Sequence, residues 1–447
     1  MSKKIIAAVA LTACLVAAAA AVMMLPSDKN DGIAASNEEA AVSLIYGLDR
    51  GEYVLLYKAM NSDMRSQYPV GNIKTAWKEK TNDLGDLLSI ERMNVAEEKD
   101  GTGIDLYCAF EKGGKKIGLA FDAEGLVSGL SFEDYDQDIF DKLPAGLKEN
   151  SVKLNAGSKW ELNGNLTTRT GGPSDTVAVI VHGSGPNDMD GTIGPTKIYR
   201  DIAWGLPQCG IDVLRYDKRT YVHGAAIMED YAKFTVMEET IDDAVAAAKL
   251  MESYGYKKII LIGHSMGGML APAIVRESKG LYDGFVSLAG SPRTLVEIIA
   301  DQNLALATET NYVFIKFFVN SELAKLRQLD SWTEEELLSK TIFTIPAYYI
   351  KDMVSRDAGE IAASMDIPML FLQGSADFQV YPEKDFEKWK EILSGKEGAE
   401  FKLYNGLNHL FMVSQGDKAG TTGEYTLKGH VGQHVIDDIA EFINGNF

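Results

Sequence analysis

One serine in this chain stands in a setting that makes it a nucleophile: Gly263-His264-Ser265-Met266-Gly267. The apolar run Lys258-Ile259-Ile260-Leu261-Ile262 before it is of strand type, and the stretch from Gly268 to Val275 after it reads as a helix. Gly-x-Ser-x-Gly between a strand and a helix is a nucleophile elbow. The turn is too tight for side chains two residues before or after the serine, so glycines stand there and the hydroxyl projects above the end of the sheet. A serine hydroxyl is a weak nucleophile until an adjacent base takes its proton, and that base needs an orienting acid. His182, His223, His264, His409, His430 and His434 are the pool of bases. A second stretch suited to chemistry is His182-Gly183-Ser184-Gly185-Pro186, whose glycines let backbone N–H groups approach a ligand. No Lys-Ser/Thr pair follows it, which disfavours a phosphate cradle.

The elements that must position these residues alternate between short apolar strands and helices. Strands are expected at 159–169, 176–181, 211–216, 258–262, 284–289, 368–372 and 401–404. Helices are expected near 199–206, 238–254, 268–275, 383–393 and 430–443. Such alternation implies a mostly parallel sheet covered on both faces, with ligands bound beyond the carboxyl ends of its strands. Between two strands, residues 291–366 form an insertion with helix-like patterns at 323–329 and 332–339.

Residues 150–447 resemble a bacterial α/β-hydrolase. The resemblance is carried by the elbow, by His182–Pro186, by Arg215-Tyr216-Asp217-Lys218-Arg219 and by Leu407-Asn408-His409-Leu410-Phe411. The region is similar to secreted esterases and to proteins described as serine-aminopeptidase-like. It implies an α/β-hydrolase fold with a helical lid at 291–366, a cofactor-free and metal-free serine hydrolase, and the chain order Ser, then acid, then His. Ser265 is then the nucleophile. Asp377 is the acid, in Gln373-Gly374-Ser375-Ala376-Asp377 beyond a strand's carboxyl end; Asp366 lies at the wrong end of the same strand. Only His409, His430 and His434 follow Asp377, and His409 stands in a loop at the correct end of the sheet. His430 and His434 share one face near the start of the last helix, a spacing that without a further ligand is poor for a metal.

A tetrahedral intermediate needs preorganised N–H donors for its oxyanion. Met266, next to the nucleophile, supplies one; Ser184 supplies the other, with Gly183 as the alternative. His182 and His264 read as structural, and Arg215 to Arg219 as an ion-pair network at the sheet end. Phe314, Phe317, Phe318, Tyr348 and Tyr349 are candidates for an acyl pocket, although the core of a helical cap explains them equally well. An ester is the favoured substrate and a short peptide the alternative. A third reading, a binding module that keeps only the scaffold, sits poorly with an intact set of Ser265, Asp377 and His409.

Residues 38–145 read as a small α+β domain. Helical spacing from Glu38 to Met64, broken at Gly51, precedes strand-like segments at 87–95, 103–111, 116–122 and 126–132. Order, together with Asp49-Arg50-Gly51-Glu52-Tyr53, resembles the cystatin-like domains of unknown function that precede hydrolase domains in bacterial exported proteins. Ligand binding and simple packing are equally open for it. Upstream, Lys3-Lys4 precedes an apolar run from Ile5 to Leu25, so residues 1–26 suit an uncleaved membrane anchor, a cleaved signal or, through Leu11-Thr12-Ala13-Cys14, a lipoprotein signal. Each places the remainder outside the cytoplasm, with membrane contact only through this segment, and 27–37 then forms a spacer. The 447 residues carry a net charge of −20, which argues against nucleic acid or an anionic membrane surface as partner. Three cysteines are too few for a disulfide framework or a zinc site, and Cys108 and Cys209 read as buried thiols.

Overall fold

The computed structural model describes residues 36–310 and 313–447. The small domain opens with the helix Asn37–Asp49, started by a capping box in which Ser36 and Glu39 bond each other's backbone N–H. Ala41, Leu44, Ile45 and Leu48 form its buried face. Gly51, at φ 82°, breaks the chain into further helices at Tyr53–Ala59, Ser62–Gln67 and Val70–Thr81. Strands β1 (Leu87–Glu98), β2 (Gly101–Phe110), β3 (Gly113–Asp122) and β4 (Val127–Tyr135) follow as an antiparallel meander in that order. Alternate residues Ile104, Leu106 and Cys108 are buried in one apolar cluster with Ile45, Leu48 and Trp77 of the helices.

The large sheet has eight strands: β5 (Leu147–Leu154), β6 (Leu162–Arg169), β7 (Thr176–Val181), β10 (Asp212–Tyr216), β11 (Lys258–His264), β12 (Gly284–Leu288), β15 (Met369–Gly374) and β16 (Ala399–Tyr404). A two-stranded ribbon, β8 (Thr192–Ile193) with β9 (Thr196–Lys197), follows β7, and another, β13 (Thr341–Ile342) with β14 (Ile345–Pro346), lies in the insertion. The spatial order is β16-β15-β12-β11-β7-β10-β6-β5. The strands from β16 to β10 run parallel, and the hairpin β5–β6 adds an antiparallel edge. Strand β5 lies in a stretch for which no strand was expected, because Leu147–Leu154 offers only Leu147, Val152 and Leu154 as buried residues.

Along β11 the two faces separate by single-residue alternation. Ile259 and Leu261 join Ala244, Ala247, Met251, Leu270 and Ile274 of the helices Asp242–Ser253 and Met266–Ser278. Ile260 and Ile262 join Ile198, Ile202, Ile436 and Ile439 of the helices Ile198–Gly205 and Gln433–Asn446, and that second cluster continues into the small domain. Between β12 and β15 the insertion contributes helices at Leu295–Thr310, Val313–Gln328, Glu334–Ser339, Ala347–Val354 and Ala358–Ala363.

The two domains are joined by polar contacts as well. The Gln415 side chain receives the Ile90 N–H at 2.6 Å and donates to the Ile90 carbonyl at 2.7 Å. The Tyr46 hydroxyl donates to the same Gln415 oxygen at 2.8 Å, and the His430 N–H reaches the Glu91 carbonyl at 2.6 Å. The last helix starts at Gln433, so His430 lies in the extended segment before it rather than on its face with His434. Cys108 is buried and Cys209 is only half-buried; both are free thiols. No helix among the described residues is long and apolar enough to cross a membrane. The run from Ile5 to Leu25 and Cys14 lie outside the described residues.

Candidate active site

Ser265 directly follows β11 and has φ 53° and ψ −115°, a region that side chains other than glycine seldom occupy. Its N–H is held by the Leu288 carbonyl at 2.8 Å and its carbonyl receives the Met269 N–H at 2.9 Å, so strand and helix together impose the strain. The flanking glycines are there for close backbone approach. A Cβ on Gly263 would stand 2.3 Å from the Gly267 oxygen, and one on Gly267 would stand 2.5 Å from the Val181 oxygen.

Asp377 and His409 follow β15 and β16 at the same end of the sheet, and both are buried. His409 Nδ1–H donates to Asp377 Oδ2 at 2.7 Å, and the Gln373 amide donates to the same oxygen at 2.7 Å. Asp377 Oδ1 receives the N–H groups of Gln379 and Val380 at 2.8 and 2.9 Å. The His409 loop is shaped by Asn408, whose side-chain oxygen receives Leu410 N–H and Met412 N–H while its amide donates to Glu424 at 2.8 Å. Among the described residues no direct hydrogen bond joins Ser265 Oγ to His409 Nε2.

His264 ties the elbow to both neighbouring loops. Tyr199 Oη receives the Gly183 N–H at 3.0 Å and lies 3.2 Å from His264 Nδ1; His264 Nε2 lies 3.0 Å from the His409 carbonyl. One proton arrangement satisfies all three contacts: Tyr199 donates to Nδ1, and Nε2–H donates to the carbonyl. Burial, with His409 close by, pushes the imidazole down to about 3, which keeps it neutral as this arrangement requires. His182 is likewise buried, beside the Tyr216 carbonyl, and is pushed down to about 3.

Ser184 lies in the loop after β7. In this loop the N–H of Gly183 is committed to Tyr199, and that of Ser184 has no partner among the described residues. The loop's carbonyls point the other way. Asn187 Nδ2 donates to the oxygens of Gly183, Ser184 and Gly185, and Lys218 Nζ donates to the Gly183 oxygen at 2.8 Å. Met266 is the first residue of its helix, where backbone N–H groups have no intrahelical acceptor. Gly183 approaches so closely that a Cβ there would lie 3.2 Å from Ser265 Cβ.

The other residues singled out in the sequence have structural partners. Arg215 pairs with Glu149 and Asp190, Lys218 with Glu239, and Arg219 with Asp243; Asp217 receives the Met189 N–H. Phe317 and Phe318 are exposed, so they line no enclosed acyl pocket. Tyr349 is buried, but its hydroxyl donates to Glu239 at 2.6 Å. The Phe314 side chain lies outside the described residues. His430 Nδ1 contacts Asp201 at 3.1 Å and His434 packs against Tyr404, so neither faces Ser265. Sequence reasoning did not single out Gln373, Tyr199, Glu239 or Glu424. Tyr199 and Glu239 act through partners remote in sequence, Gln373 and Glu424 through nearer ones in irregular loops, and no local motif marks any of the four. A cavity of about 430 Å³ lies between Trp160, Arg219, Glu238 and Asp242, and no candidate site residue lines it.

Comparison with known proteins now gives this site a family. Residues 175–415 match the family described as serine aminopeptidase, S33, and residues 41–130 match a protein family of unknown function, DUF3887. Esterase EstD from Thermotoga maritima is 34% identical over 395 residues, covering 86% of this chain and 89% of that protein. Among solved structures, Est1E from Butyrivibrio proteoclasticus is similar at 13% identity and a TM-score of 0.43, covering 66% of this chain and 98% of its own. A puromycin-hydrolyzing peptidase of Mycobacterium tuberculosis is similar at 14% identity and a TM-score of 0.42, covering 77% of this chain and 46% of its own. The chain belongs to the serine aminopeptidase S33 family of α/β-hydrolases, and it is a hydrolase.

Proposed function

We propose that the protein is a serine carboxylesterase that cleaves small to medium acyl esters through an acyl-enzyme on Ser265. What supports this most is the 2.7 Å contact of His409 Nδ1 with a buried Asp377, at the sheet end where Ser265 is held at positive φ. Asp377 keeps the His409 proton on Nδ1, so Nε2 is free to take the Ser265 proton as Oγ attacks the ester carbonyl. The oxyanion then forms against the N–H groups of Met266 and Ser184. His409 returns the proton to the leaving alcohol, and a water activated by the same Nε2 releases the acid.

Similarity to an esterase over most of the chain favours an ester, whereas the family description raises a serine peptidase acting on short peptides. A panel of p-nitrophenyl acyl esters and aminoacyl amides decides between them. Ser265→Ala should abolish turnover and fluorophosphonate labelling while thermal unfolding stays cooperative; retained turnover would sink the assignment. We also propose that residues 1–26 direct the hydrolase out of the cytoplasm, as an uncleaved anchor, a cleaved signal or a lipoprotein signal. Protection from external protease in intact spheroplasts would refute that.

A further inference from the structure

We propose that Lys218, Glu239 and Tyr349 form a buried relay that aims the Ser184 N–H, so that the helical insertion sets the strength of the oxyanion hole. The inference rests on Ser184 serving as an oxyanion donor. The Gly183 carbonyl and the Ser184 N–H belong to one planar trans peptide and therefore point in opposite directions. Whatever holds that oxygen decides where the N–H points. Its two holders are Asn187 Nδ2 at 3.3 Å and Lys218 Nζ at 2.8 Å. The lysine is the nearer and carries a charge. A cation on a carbonyl oxygen polarises the peptide and makes the attached N–H a better donor.

Lys218 is only 2% exposed, and such an ion needs a partner. Glu239 Oε1 meets Nζ at 2.7 Å, and Glu239 Oε2 receives the Tyr349 hydroxyl at 2.6 Å. Glu239 stands in a π-helical turn, Met237–Ile241, and π turns are frequent at functional positions. Tyr349 belongs to Ala347–Val354 of the insertion, and its hydroxyl also lies 3.7 Å from Met266 Sδ. The insertion thus touches both halves of the oxyanion site, Met266 directly and Ser184 through two buried charges. All three are positioning residues, since none reaches substrate.

The test uses the full chain and a p-nitrophenyl ester, with an alkyl trifluoromethyl ketone as oxyanion probe. Tyr349→Phe should lower kcat about three- to tenfold. The paired change Lys218→Met with Glu239→Leu, which replaces the buried ions by apolar side chains, should lower it about a hundredfold, somewhat less than removal of an oxyanion donor outright. KM should stay within threefold, and ketone affinity should fall in proportion to kcat/KM. Lys218→Arg should retain more activity than the paired change. If the paired variant does not fold, Tyr349→Phe carries the test, because it deletes a single hydroxyl. Normal kcat and ketone affinity in folded variants, beside normal turnover and labelling of the unaltered chain, would overturn the relay alone. No turnover and no labelling at Ser265 in the unaltered chain would instead remove the serine-hydrolase reading, and the relay with it.

Discussion

Changing Asp377 to asparagine tests the proposed mechanism at its most constrained atom set. All four contacts to this carboxylate are donors: Gln379 N–H and Val380 N–H on Oδ1, and His409 Nδ1–H and the Gln373 amide on Oδ2. An amide nitrogen at this place must face one pair or the other. Against the backbone pair it forfeits two charge-assisted bonds, each worth about 1.5–3 kcal/mol, because peptide N–H groups cannot tautomerise. Against the other pair only Gln373 is fixed as a donor, since His409 can move its proton from Nδ1 to Nε2. The second arrangement is therefore favoured by about 1.5–3 kcal/mol, one lost bond instead of two. It leaves His409 protonated on the nitrogen that must accept the serine proton. The expected loss is about 10³–10⁴ in kcat, or about 4–5 kcal/mol of barrier. The assay is p-nitrophenyl ester hydrolysis with active-site titration, beside thermal unfolding to show that the fold survives. Asp366→Asn is the control, because that side chain is exposed and touches only Lys396; it should match the unaltered protein. A kcat within tenfold for Asp377→Asn would refute the tautomer argument.

Three other outcomes follow from the same structure. Burial raises the Glu424 carboxyl to about 7, against hydrogen bonds from Ser414, Gly420 and Asn408, and the charge of Asp377 adds to the rise. Folded Glu424 thus keeps its proton longer than the unfolded chain does: its contribution is full below about pH 4.5 and falls as pH rises to about 7, by about 3 kcal/mol. Glu424→Gln should flatten the decline in Tm between pH 5 and pH 8, and an unchanged decline would contradict this. Gly267→Ala would push a methyl into the Val181 carbonyl, so the variant should express poorly or melt far lower; wild-type melting would refute the close approach. His430→Ala should leave kcat alone and cost about 1–3 kcal/mol in urea unfolding, since it removes a buried side chain bonded to Asp201 within the large domain.

What was legible in the sequence was whatever backbone geometry or chain order imposes locally. Gly263 and Gly267 are forced by contacts shorter than any Cβ tolerates, so the elbow announces itself. Asp377 and His409 could be named because each lies in the loop after a strand's carboxyl end, and the fold brings both to the end where Ser265 stands. Periodicity failed where it was weak or misleading. The helix Val70–Thr81 buries little beyond Ile73 and Trp77, and β5 has few apolar residues to mark it. The last helix read backwards through Gly432 to His430, although Gly432 has ψ 141° and ends it. The aromatic residues of the insertion left two readings open for another reason. Composition cannot tell that Phe317 faces solvent whereas Tyr349 spends its hydroxyl on a buried glutamate.

The small domain was the least legible part, because its attachment depends on pairs far apart in the chain. Strand β1 is an edge strand with a register shift near Ile90, and such an edge leaves backbone N–H and C=O groups unpaired. The segment running from the His409 loop to the last helix supplies the partners: Gln415 takes both groups of Ile90, His430 takes Glu91, and Gln433 N–H reaches the Asn94 side chain. A glutamine that copies a strand edge has no sequence signature. With an apolar cluster continuous from Ile45 to Ile439, the two domains share a core rather than a hinge. The loop carrying His409 is thereby anchored at one end by β16 and at the other by the small domain. On the proposed mechanism such a loop would lose little further entropy as its imidazole is fixed beside Ser265, so changes at Gln415 that loosen this anchor should lower kcat, and an unchanged kcat would refute the link.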